Sequence, residues 1–99
     1  MIDNREPINL TDTERIIPVR EVRPDHKIPP EILNYISRNS AAHYQFVPVG
    51  FQDGVLEVGL LDPGNLEARD ALQFIASKLG FPYKIFRISQ ASFDNVLKN

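Results

Sequence analysis

The sequence contains no cysteine, which excludes a disulfide framework and a thiolate nucleophile. It also has no basic excess, because eleven Lys and Arg stand against thirteen Asp and Glu and the net charge is −2. Nucleic-acid binding depends largely on neutralising phosphates, so this balance argues against that class. No segment approaches the ~20 apolar residues that a membrane span needs, and the first ten residues show no signal-peptide pattern. These absences favour a domain in the cytoplasm.

Ninety-nine residues, 42% of them hydrophobic, are enough for one small domain. Residues 1–27 differ from the rest because they carry three prolines among many charges. We predict an extended or partly disordered N-terminal arm over residues 1–27 and a single α+β domain over residues 28–99. Pro18 makes a central strand unfavourable in the arm. The apolar residues of the arm are expected to lie against the body: Ile16, Ile17 and Val19.

The run "KIPPEILNYISRNSAAHYQ" predicts two short helices. Pro29 and Pro30 suit a first helical turn, and Asn39-Ser40 is expected to break the first helix and cap the second. "FVPVGFQDGVLEVGLL" then alternates with period two on both sides of Asp53-Gly54, a dipeptide typical of tight hairpin turns. An antiparallel pair of strands over residues 46–52 and 55–61 is therefore expected.

The stretch "LLDPGNLEARDAL" predicts the passage from the second strand into the main helix. Asp62 is expected to cap this helix, with Pro63 at its first position. An apolar stripe follows at helical spacing: Ala68, Ala71, Leu72, Ile75 and Leu79. Gly80 should end the helix, "YKIFRI" should form a third strand, and Ser89 should cap a last helix.

The predicted fold is a small α+β sandwich with the order helix, helix, strand, strand, helix, strand, helix. Its three-stranded sheet consists of one antiparallel hairpin plus a third strand and is covered by helices.

Patterns typical of catalysis, nucleotide binding or metal binding are missing. Gly54 and Gly59 have the glycine spacing of a P-loop, but leucines stand where Lys and Ser or Thr must follow. His26 and His43 have no partner ligands at metal spacing. Asp62 would compete with an anionic ligand for the N–H groups at the helix start, which favours a structural turn there. We expect no enzyme activity, metal or cofactor in this segment.

The run "YQFVPVGFQDGVLEVGLLDPGNLEARDALQFIASKLGFPYKIFRIS" resembles the N-terminal domain of type II secretion and type IV pilus assembly ATPases of the GspE/PilB type, in its MshEN-like C-terminal subdomain. The usual family pattern is a "(Y)xxVP" strand, a polar turn and "LxVAMxDPxNxEAxDxL". The similarity covers about residues 28–98. The following residues represent the strand-to-helix motif here: Asp62, Pro63, Asn65, Glu67 and Ala68.

This resemblance implies a non-catalytic regulatory or docking domain of a longer protein. In the family, such a domain precedes the ATPase core in the same chain and connects that motor to a membrane-anchored platform protein at the inner membrane. It implies no nucleic-acid partner, no direct membrane insertion and a monomer when isolated. The choice between secretion and pilus assembly, the partner's identity and the role of the arm stay open.

The alternative is a sensor of cyclic di-GMP. Some members of the family bind this nucleotide through tandem motifs that begin "RLGxxL", upstream of the part matched here. This sequence has "ERIIPVREVRPDH" in that place, without arginines in the arrangement that stacks on guanine and pairs with phosphate.

Four large apolar residues around the main helix form the predicted partner interface: Leu66, Phe74, Phe81 and Tyr83. Phe74 lies roughly 100° from the centre of the apolar stripe, since each helical residue turns by about 100°, and Leu66 lies farther. An exposed apolar patch would mark an interaction site. The competing interpretation is that Phe74 packs under the flanking strand as part of the core.

Overall fold

The order of the helices and strands is the predicted one. The computed structural model describes residues 17–98, so the expectation for Ile16 lies outside the described residues. The elements follow in chain order: α1 (Pro30–Leu33), α2 (Arg38–Tyr44), β1 (Phe46–Gln52), β2 (Val55–Leu60), α3 (Leu66–Leu79), β3 (Tyr83–Arg87) and α4 (Gln90–Lys98). The α+β class is confirmed, and β2 ends one residue earlier than predicted.

The three strands form one mixed sheet in the order β1-β2-β3. β1 and β2 pair antiparallel through the Asp53-Gly54 turn, where φ is +54° and +78° as a tight hairpin requires. β2 and β3 pair in parallel. A parallel pair needs a crossover connection, and α3 supplies it.

The two faces of β2 have different neighbours. Leu56, Val58 and Leu60 point to one face and are fully buried in the cluster that contains Leu72 of α3. Gly59 points to the opposite face, where a Cβ atom on it would lie 2.5 Å from Cγ2 of Ile88. Close approach of the chain that leaves β3 therefore requires glycine at this position.

The cap of α2 differs from the prediction. Ser37 is the N-cap, and its hydroxyl accepts a hydrogen bond of 3.1 Å from the N–H of Ser40. The prediction that Asn39-Ser40 caps this helix is wrong, because both residues lie inside its first turn. Ser37 supplies the same hydroxyl chemistry three residues before Ser40.

The cap of α3 is Asn65, so the assignment of this role to Asp62 is wrong. Asn65 Oδ1 accepts from the N–H of Ala68 at 3.2 Å. Asp62 instead accepts from the N–H of Gly64 at 3.0 Å, in a turn that precedes the helix. Pro63 is buried in this turn and not at the first helical position. The other predicted ends are confirmed: Gly80 closes α3 at φ +83°.

Residues 18–20 pair with the end of β3 at Arg87. The N–H of Arg20 donates to the carbonyl of Arg87 at 2.9 Å, and the N–H of Arg87 donates to the carbonyl of Pro18 at 2.8 Å. Val19 is 68% exposed, which contradicts the expected contact with the body, whereas Val22 is only 5% exposed. Alternate residues of an extended segment point to opposite sides, and Val22 shares the inward side with Arg20.

Candidate functional site

α3 carries two large apolar side chains on its solvent side. Leu66 is 70% exposed and Phe74 is 63% exposed, so the interpretation of Phe74 as a core residue is wrong. Asp70 lies between them at the i+4 position, and Lys78 continues the same line with its Nζ 5.3 Å from the centroid of the Phe74 ring. We call these four residues the α3 row. Leu66 and Phe74 are about 12 Å apart along the helix axis, at 1.5 Å per residue.

A groove of about 510 Å³ lies between α2 and α3 beside this row. Its α2 wall consists of Ser40 and Tyr44. Its α3 wall combines two exposed carboxylates with three apolar residues: Glu67, Asp70, Ala71, Phe74 and Ile75. Among residues 17–98, neither carboxylate forms an ion pair. We call this feature the α2–α3 groove, and it joins an apolar wall to an acidic rim.

Phe81 and Tyr83, the other two residues of the predicted interface, lie elsewhere. Both are half-buried and line a separate cavity of about 370 Å³ together with Ser77. Phe81 also packs edge-to-face on Tyr35 and Phe51, with ring centroids 5.3 Å and 4.9 Å apart. The structure thus aligns Leu66 with Phe74 but does not place Phe81 and Tyr83 in the α2–α3 groove.

A further cavity, of about 400 Å³, was not foreseen from the sequence. It lies where α1, α2, β1 and α4 meet, and its lining includes Leu33, Ile36, Val47 and Val96. Among the described residues, Arg38 is the one charged residue in this lining. No local sequence signal points to this cavity, because its walls come from the two ends of the domain.

The strand-to-helix motif has mainly structural roles. Ala68 is 1% exposed and belongs to the core, while Asn65 caps α3 and Asp62 and Pro63 form the turn before it. Of the five motif residues, Glu67 is the one that lines the α2–α3 groove. The residues at this junction satisfy the helix start, which agrees with the expectation of a structural turn.

The glycines that resemble a P-loop are explained by the sheet. Gly54 occupies the hairpin turn, and Gly59 lies against Ile88. Within the described part of the chain, no group of three or more His, Asp or Glu residues could hold a metal ion. No helix among the same residues is long and apolar enough to cross a membrane.

Comparison with known families agrees with this architecture. The profile of the MshEN domain matches residues 17–94. The chain belongs to the MshEN domain family. This confirms the resemblance to the N-terminal domain of type II secretion and type IV pilus ATPases. The match begins thirteen residues before the start of α1, so it includes the part of the arm that bonds to Arg87 of β3. No curated protein sequence matches this MshEN domain.

Solved structures with the same fold include MshE and the N-terminal domain of XpsE. A structure of MshE with cdg has a TM-score of 0.70 at 13% identity, covering 91% of this chain and 63% of that one. The XpsE N-terminal domain in crystal form I4122 has a TM-score of 0.66 at 17% identity, covering 91% of this chain and 61% of the other. A second crystal form of it gives 0.63 at 21% identity, with coverages of 83% and 56%. This MshEN domain spans about three-fifths of the length of the solved chains it matches, and the likeness shows the fold.

Proposed function

We propose that this MshEN domain is a non-catalytic docking and regulatory module of a type II secretion or type IV pilus assembly ATPase. It precedes the ATPase core in the same chain and connects that motor to a membrane-anchored platform protein at the cytoplasmic side of the inner membrane. On its own the domain is a monomer. Membership in the MshEN family supports this assignment, and the exposure of Leu66 and Phe74 on one side of α3 carries it.

Two exposed apolar side chains of this size are a reason to expect a partner. Aromatic side chains dominate interface energetics because each can bury roughly 150–250 Å². A spacing of about 12 Å along α3 places Leu66 and Phe74 within a single interface, since a standard one covers ~800 Å² on each partner. The side chains that carry most of the binding energy cluster near the centre of such an interface. We therefore assign Phe74 as the central anchor.

The test is a calorimetric titration of the domain with the cytoplasmic region of the platform protein from the same cells. We expect wild-type domain to bind, and Phe74→Asp to weaken binding by at least about tenfold, the equivalent of ~1.4 kcal/mol. Because Phe74 is mostly exposed, this variant should keep its melting temperature. Val19→Asp is the matched control, since Val19 is equally exposed but lies on the arm.

Three outcomes would remove the docking assignment. The first is no binding by the wild-type domain. The second is an equal loss of affinity in Phe74→Asp and Val19→Asp, which would show a general effect of added negative charge. The third is unfolding of Phe74→Asp, which would make Phe74 a structural residue.

The second candidate function is a cyclic di-GMP sensor, favoured by the likeness to MshE with cdg. Titration of cyclic di-GMP into the isolated domain separates the two candidates. Saturable heat with a defined stoichiometry supports the sensor, and a flat titration removes it. The platform titration is carried out without nucleotide, so each candidate is decided by its own measurement.

A further inference from the structure

We propose that the α2–α3 groove receives a basic amphipathic helix of the partner protein. Its apolar side chains pack on Phe74 and Ile75, and its Lys or Arg side chains lie against Glu67 and Asp70. The identification of that partner as the platform protein rests on the proposed function, whereas the chemistry of the occupant rests on the groove itself.

The walls of the groove determine the shape of the occupant. Asp70 and Phe74 are four residues apart on α3, so their side chains lie on one line about one turn apart. An occupant must therefore present a cationic and an apolar side chain at the same spacing, which a helix does at i and i+4. α2 forms the second wall through Tyr44. A helix laid between two helices packs at an interaxial distance of roughly 8–10 Å from each.

The charges of the groove determine the sign of the occupant. Glu67 and Asp70 are both exposed, and within residues 17–98 no cation pairs with either of them. The nearest cation in the α3 row is Lys78, two turns beyond Asp70, which lies over the Phe74 ring. The acidic rim is therefore at the N-terminal half of α3. The cationic residues of the occupant belong at that end, and neutral or acidic residues belong beside Lys78.

A mixed apolar and electrostatic contact has a defined response to salt. The screening length falls from about 10 Å at 0.1 M salt to about 3 Å at 1 M, which weakens contacts between exposed charges. Burial of the apolar wall does not depend on screening and persists. Binding of the basic helix should therefore weaken with salt without disappearing.

The probe is an 18-residue synthetic amphipathic helix with leucines at helical spacing and lysines on its polar face. A second peptide with glutamates in place of the lysines is the charge control. With isotopically labelled domain, we expect the Lys peptide to shift amide signals of α2 and α3, and the Glu peptide to leave them unchanged. Asp70→Lys should weaken the Lys peptide about fivefold or more. Asp94→Lys on α4 adds the same charge at an exposed helical site and should change the affinity by less than twofold.

The proposal is overturned if the Lys peptide shifts signals elsewhere or nowhere, or if both peptides bind alike. It is also overturned if Asp70→Lys and Asp94→Lys weaken binding equally, because that result means general charge attraction. These failures differ from failure of the proposed function. If the platform protein does not bind but the Lys peptide maps to the groove, the platform assignment fails and the groove chemistry stands. If the platform protein binds through Phe74 and its affinity is unchanged by Asp70→Lys, the platform assignment stands and the groove chemistry fails.

Discussion

The backbone N–H of Val22 donates a hydrogen bond of 2.8 Å to the hydroxyl of Ser92, 70 residues later in the chain. Ser92 is 3% exposed and is a buried polar residue of α4. One turn further along the helix, Asn95 Nδ2 donates to the carbonyl of Val22, also at 2.8 Å. Side chains of α4 thus satisfy both backbone groups of Val22, as a neighbouring strand would. This pair of bonds attaches the arm to the body at Val22.

Ser92→Ala should destabilise the domain by about 1–3 kcal/mol, because the buried N–H of Val22 would lose its acceptor. Urea unfolding gives this free energy, and amide exchange should become faster at Val22. Ser77→Ala is the control, since Ser77 is an exposed serine on α3 and should change stability by less than about 0.5 kcal/mol. Equal effects of the two substitutions would show that the Val22–Ser92 bond contributes nothing measurable.

Gly59→Ala should also destabilise the domain, by roughly 1–3 kcal/mol, through overpacking. The added Cβ would lie 2.5 Å from Cγ2 and 2.9 Å from Cδ1 of Ile88, which is buried, so the packing around Ile88 would have to shift. Gly64→Ala is the control, because its nearest neighbour would be Asp62 Oδ1 at 3.3 Å in an exposed turn. Thermal unfolding of both variants provides the comparison.

A double-mutant cycle identifies the cause of the Gly59 effect. Ile88→Ala removes the atoms that clash, so it should cost less free energy in the Gly59→Ala background than in the wild type. Strict additivity of the two substitutions would contradict the proposed clash and leave backbone effects as the cause.

Asn65→Ala should destabilise the domain by about 1 kcal/mol, the usual result of losing an N-cap. Asp62→Ala removes an exposed hydrogen bond from the preceding turn and should cost at most about half as much. Denaturant unfolding of the two variants, measured side by side, ranks them. A larger effect of Asp62→Ala would return the capping role to Asp62.

The sequence predicted those features that depend on neighbouring residues. Asp53-Gly54 and Gly80 adopt positive φ because the turn and the helix end require it locally, so both were found. The cap of α3 was missed because Asp62 and Asn65 are both good capping residues, three positions apart. In the structure Pro63 is buried in the turn after Asp62, and the helix starts only at Leu66.

Features that depend on distant residues could not be predicted in this way. Helical spacing placed Phe74 away from the core stripe but left open whether the flanking strand covers it, and the structure shows that this side chain is exposed. The α2–α3 groove beside it also depends on where α2 lies, and no sequence pattern within α3 predicts that position. Val22 is buried and Val19 is exposed, because burial in the arm depends on which side of the extended chain meets α4. Ser92 gives no local sign that it accepts a bond from residue 22.

The attachment of the arm to β3 and α4 has a consequence for synthesis on the ribosome. Residues 18–22 are translated before the residues that bond to their backbone, which are Arg87, Ser92 and Asn95. The hairpin of β1 and β2 joins neighbouring segments and can form as soon as it emerges, because short-range pairing requires little loop closure. The bonds of Val22 must wait until α4 has been made. Within the described chain, the segment that is translated first therefore completes its attachment only after the last helix has been made.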